Sequence, residues 1–162
     1  MKHMKQGSTL FLKVALLLIG LVVLSALLGM PWLEGRNANA DFMKVYFQDP
    51  FLTYVYIAMT PFFVALYQAY KLLGIIEKNN VFSQIAVDCL RNIKRCAFAV
   101  ATLASFTLPY LFAFGQEDDA PGVVLLGLIA IFATLVIAVA AGVFQRMLQA
   151  AVDIKSENDL TV

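Results

Sequence analysis

The chain has 162 residues, of which 61% are hydrophobic and only 14% charged. Soluble domains run at about half apolar and about a quarter charged, so a water-soluble globular domain is excluded and a membrane protein is indicated. Formal net charge is only +1, which also excludes direct binding of nucleic acid through bulk positive charge. The charges are instead segregated along the chain, and their placement is informative.

Residues 1–9 are polar and basic, and an apolar run follows from Leu10 to Met30. A bilayer is crossed by about 20 apolar residues, so this run predicts a first span over 10–30. Ala38-Asn39-Ala40 resembles a signal-peptide cleavage site. The apolar run exceeds a signal core, however, and the triplet lies too far beyond it, so a retained span is expected. Lys13 is expected to snorkel toward the basic end. Pro31 is expected to end the span, with Trp32 at the interface.

A polar connection follows, in which Phe42, Tyr46 and Phe47 suit interfacial anchoring. The second span is expected over 51–76, with Pro61 in its interior predicting a kink.

From Tyr70 to Cys96 the chain holds its densest basic cluster: Lys71, Lys78, Arg91, Lys94 and Arg95. Phe82, Ile85, Ala86, Cys89, Leu90 and Ile93 recur at i, i+3, i+4, i+7, i+8 and i+11, one apolar stripe on an α-helix. A short amphipathic helix on the cytoplasmic membrane surface is predicted between spans 2 and 3, with Ser83 as its N-cap. The third span is expected over 96–114 and the fourth over 123–144, followed by a cytoplasmic tail, 145–162. The fold class is therefore all-α, a four-transmembrane-helix bundle formed by one domain over 1–162.

Four spans place both ends on one side of the membrane. That side holds Lys2, Lys5, Lys13, Lys71, Lys78, Arg91, Lys94, Arg95, Arg146 and Lys155, and only Arg36 and Lys44 fall on the other. The positive-inside rule then puts both termini in the cytoplasm.

No Walker loop, HExxH, CxxC or nucleophile-elbow pattern occurs. Ionisable residues inside the spans are too few for an ordinary acid–base pair. The expectation is a non-enzymatic protein without metal or prosthetic group. Cys89 and Cys96 share a helix face but stand about 10 Å apart along it, too far for a disulfide, and read as packing residues.

Tyr56, Thr60, Tyr67 and Lys71 follow roughly one face of the second span. Polar groups in hydrocarbon turn toward the bundle interior. They form either a cleft for a ligand or a set of interhelical hydrogen bonds with Lys71 reaching the surface. Ala97, Ala101 and Ser105 on the third span, and Ala130, Thr134, Ala138 and Gly142 on the fourth, recur at four-residue spacing. Small residues so placed let backbones approach closely, within one chain or across a homo-oligomer. Glu117, Asp118 and Asp119 precede Pro121, which suits the first turn of the fourth helix.

Gly7–Lys13 (GSTLFLK), Phe82-Ser83, Asp119–Gly122 (DAPG) and Ile154–Val162 (IKSENDLTV) together resemble the YoaS-like family of bacterial membrane proteins, whose domain is of unknown function. The resemblance covers nearly the whole chain. It implies four spans in a bacterial plasma membrane and a link to a small helix-turn-helix regulator. It carries no catalytic residues. Two functions are compatible with these readings. One is a regulatory module that docks a cytoplasmic partner, such as that regulator, through Arg91, Lys94, Arg95, Glu157 and Asp159. The other is a small transport or immunity protein that binds a peptide or lipid-like ligand along Tyr56, Thr60, Tyr67 and Lys71.

Overall fold

The structure, a computed structural model, describes residues 2–33, 50–114 and 120–160. It is all-α, with four helices: α1 (Lys2–Leu33), α2 (Pro50–Glu77), α3 (Gln84–Phe114) and α4 (Ala120–Leu160). The connection 34–49, with Arg36, Lys44 and the expected anchors Phe42, Tyr46 and Phe47, lies outside the described residues. So do the acids Glu117, Asp118 and Asp119, and the side chain of Trp32.

Apolar runs of this length form helices in lipid because a helix satisfies every backbone donor and acceptor within itself. Among the described residues, three helices are long and apolar enough to cross a membrane, through Gly7–Gly29, Leu52–Glu77 and Val124–Asn158. The expected third span, 96–114, lies in α3, and its side chains from 110 onward lie outside the described residues.

Local structure adds two details and corrects one expectation. The candidate span Gly7–Gly29 stops short of Pro31, as expected, while the helix itself continues past that proline to Leu33. A proline near the last turn forfeits little of the helix ladder beyond it, so the helix tolerates it there. The polar residues after Met1 are helical too, because α1 begins at Lys2. Finally, the expected short amphipathic helix is not a separate element. Residues 84–95 form the first turns of α3 and run on into the expected third span. No glycine or proline interrupts the sequence from Gln84 to Leu108, so nothing local breaks the helix.

The turn between α2 and α3 is closed by its own backbone. Asn79 adopts φ 54°, a left-handed conformation that asparagine tolerates better than most residues. The Asn80 amide donates to the Ile75 carbonyl at 3.2 Å, and the Asn79 amide to Ile76 at 3.0 Å. This is the Schellman pattern, which satisfies carbonyls left open at a helix end. Ser83 accepts the first amides of α3, from Ala86 and Val87, on its carbonyl. Its hydroxyl donates backwards to Asn80 at 2.8 Å, so the residue holds the N-cap position without capping through its side chain.

Each helix makes its substantial contacts with the next in sequence: α1 with α2, α2 with α3 and, most extensively, α3 with α4. The α3–α4 seam is antiparallel, with Gln84 meeting Gln149, Lys94 meeting Gly142 and Leu108 meeting Gly127. Its buried side chains are small: Ala86, Ala97 and Ala101 on α3, Ala138 and Ala141 on α4. Long apolar side chains point outward instead, including Phe11, Phe106 and Phe132, each about 70% exposed. Lipid is as apolar as leucine, so interhelical contact is driven by close approach and dispersion, and small residues gather there.

Candidate functional site

Two places in this framework gather the residues singled out from the sequence. The first lies between α1 and α2. The Tyr56 hydroxyl donates to the Leu27 carbonyl of α1 at 3.1 Å, and Thr60 donates to the Tyr56 carbonyl one turn back at 3.1 Å. Both are thus engaged with backbone, Tyr56 across to α1 from a half-buried position and Thr60, exposed, within its own helix. Tyr67 and Lys71 are exposed, and neither has a hydrogen-bond or ion-pair partner among the described residues. The four-residue polar face therefore divides: Tyr56 joins α2 to α1, Thr60 bonds within α2, and Tyr67 and Lys71 stay open.

Beside Tyr67 runs an apolar groove of about 440 Å³, walled by Leu17, Leu21 and Leu24 of α1 and by Phe63, Tyr67 and Tyr70 of α2. Beyond its end nearest the α2–α3 turn, against Tyr70, stands a cluster that the sequence reading missed. Lys13 pairs with Glu77 at 2.5 Å and stands 5.3 Å from the centre of the Tyr70 ring. Thr9, the one buried polar side chain among the described residues, hydrogen-bonds the same carboxylate. Lys13 does not simply snorkel, because Glu77 offers it a carboxylate within reach. Thr9 and Lys13 are four residues apart, and Tyr70 and Glu77 seven apart, so each pair shares a helix face. That spacing was readable; which helix would face α1 was not.

The second place is the α3–α4 hairpin beyond the apolar seam. Gln84 and Gln149 exchange amide hydrogen bonds at 3.3 Å, and Gln149 donates to Asp153 at 2.8 Å. Of the residues proposed for docking, Arg91 donates to Asp88 at 3.0 Å on its own helix, and Arg95 is exposed. Lys94 lies in the seam, with its Cδ 3.3 Å from where a Cβ on Gly142 would stand. It is less open to a partner than its place in the basic cluster suggested. Glu157 is exposed, and the side chain of Asp159 lies outside the described residues.

The predicted apolar stripe of this region is only partly buried. Of its residues Ala86 and Cys89 are almost fully enclosed, as is Val87 outside the stripe, whereas Phe82 and Ile85 remain more than half exposed. Burial pushes the Cys89 thiol above its ordinary value; Lys71 pulls it the other way and Asp88 adds to the rise. A thiol so placed is a packing group rather than a nucleophile. Both cysteines are free.

Comparison with known proteins bears on this architecture. The model of a family described as "Protein of unknown function (DUF2975)" matches residues 12–162. This chain belongs to that family. It is also 43% identical over 160 residues to the uncharacterized membrane protein YoaS of Bacillus subtilis (strain 168), an alignment covering 98% of this chain and 100% of the relative. No solved structure matches. The resemblance drawn from the sequence is therefore correct, and the chain is a helical membrane protein.

Proposed function

We propose that this protein is a non-enzymatic module of the bacterial plasma membrane that holds a soluble partner at the cytoplasmic end of its α3–α4 hairpin. In this reading α1–α4 form a four-span bundle, and both termini lie in the cytoplasm, as the distribution of basic residues favours. The observation that carries the proposal is the length of α4. Its 41 residues extend about 60 Å at helical rise, twice the hydrocarbon thickness of about 30 Å.

The far part of α4 is tied to the start of α3 through Gln84, Gln149 and Asp153. A two-helix projection would then stand clear of the bilayer and present apolar Ile85, Met147 and Ile154 beside charged Arg91, Arg95 and Glu157. A surface of mixed apolar and charged groups suits protein recognition. The helix-turn-helix regulator implied by the family resemblance is the partner to try first.

The test has two arms. Single cysteines in a background lacking Cys89 and Cys96 should react with an impermeant reagent from outside at Ala38 and Gln116, and resist it at Gln6, Asn80 and Ser156. External labelling at Asn80 would overturn the orientation. Given that orientation, Glu157→Lys with Asp159→Lys should move a crosslinked partner from the membrane to the soluble fraction while the protein's own level is unchanged. These acids have no attraction to anionic lipid to lose, so release would report docking. If neither this change nor neutralising Arg91 and Arg95 shifts the partner, the docking proposal is wrong.

A further inference from the structure

We infer that the α1–α2 groove is a binding site for one anionic phospholipid, with an acyl chain between the helices and the headgroup beside Lys71. Leu17, Leu21 and Tyr67 at its rim are each about 60% exposed, so the groove is an open channel along the protein surface. Both of its walls lie within helix stretches long and apolar enough to cross a membrane. In a bilayer its mouth therefore faces lipid chains, and an acyl chain is the occupant chemically matched to an apolar channel at that depth.

Charge complementarity selects the headgroup. The end of the groove nearest the α2–α3 turn is marked by Lys13, whose charge is balanced by Glu77. Lys71 follows Tyr67 by four residues on α2, so the two share one side of the helix, and Lys78 comes immediately after the helix ends at Glu77. Both lysines are exposed, and no carboxylate among the described residues pairs with either. The end of the groove therefore carries a net positive charge, and the Tyr67 hydroxyl stands one turn below it. A phosphate there would meet the Lys71 ammonium, with Lys78 adding to the positive field, while the Tyr67 hydroxyl is one turn away on the side of the glycerol region. Lysine is a recurrent binder of phosphate as a point charge. A zwitterionic headgroup would bring its own cation into the same positive field, so it should bind less well.

The experiment uses the full chain purified in detergent and titrated with phosphatidylglycerol or with phosphatidylcholine of the same chains, read by native mass spectrometry. The expected result is a retained single adduct with phosphatidylglycerol that exceeds the phosphatidylcholine adduct. Lys71→Gln should weaken the anionic adduct about fivefold, the effect of one basic residue near an anionic lipid surface, and weaken the zwitterionic one less. Leu21→Trp or Leu17→Trp should reduce both adducts by filling the channel from its exposed rim, where the core is untouched. Lys155→Gln, an exposed change on α4, should alter neither. Equal retention of the two lipids, an equal loss with Lys155→Gln, or full binding by both tryptophan variants would each overturn the site. Thermal melting of every variant separates loss of the site from loss of the fold.

Discussion

The α3–α4 and α1–α2 contacts are built on opposite plans within one chain. The first is a tight seam of Ala97, Ala101, Ala138, Ala141 and Gly142, with α3 close enough that the Lys94 stem lies across the glycine. The second brings leucines and tyrosines face to face, leaves a groove of about 440 Å³, and is held by polar links at either end of it. Tyr56 joins Leu27 toward one end and Lys13 joins Glu77 at the other. Side-chain size decides the difference. Small residues let backbones approach so that dispersion carries most of the seam, with the Gln84–Gln149 bonds beyond it, whereas large ones hold the backbones apart and leave more to polar links. The tight pair is suited to rigidity and the open pair to a ligand.

The largest effect should come from making the seam resemble the groove. Ala138 is fully buried, so Ala138→Leu should destabilise the protein in detergent by about 1–3 kcal/mol, the usual cost of overpacking. Gly142→Leu should act likewise, because even a Cβ there would crowd the Lys94 Cδ at 3.3 Å. Ile131→Leu conserves volume and should be nearly silent. Thermal unfolding in detergent gives the comparison, and equal melting of all three would remove the distinction between the two contacts.

A smaller effect is expected from loosening the groove pair at Tyr56. Tyr56→Phe removes the donor to Leu27 and should cost about 0.6 kcal/mol, the average for interhelical hydrogen bonds in membranes. The lost bond joins α1 to α2, so limited proteolysis or hydrogen exchange should show α1 loosening while α3 and α4 stay protected. Equal loosening of α3 and α4 would mean that the two contacts are not separable.

The smallest effect should be that of Lys13→Gln and Glu77→Gln. This pair is partly open to solvent, where screening weakens ion pairs. Its signature is coupling rather than size: the double variant should melt no lower than the worse single one. Strictly additive losses would show that the two side chains do not link α1 to α2.

The membrane class, the helical content and the small-residue seam were all legible along the chain, because each rests on runs of composition or on helical spacing. Ala97, Ala101, Ala138 and Gly142 can be read as a close contact before any fold is known, since lipid leaves few other uses for small residues at four-residue intervals. The resemblance carried by Gly7–Lys13 and Ile154–Val162 was equally local, and it identified the family.

What the sequence by itself determined, then, was which faces were apolar, small or charged. What only the tertiary structure decided was which faces meet. Residues 82–93 read as a stripe destined for the membrane surface, yet Ala86 and Cys89 are buried in the protein while Phe82 and Ile85 stay outside. Lys13 read as a snorkelling cation until Glu77, 64 residues away, was placed beside it. The groove has no signature at all in the order of residues. It exists because α1 and α2 meet through large side chains, and the space left between two helices belongs to the pair.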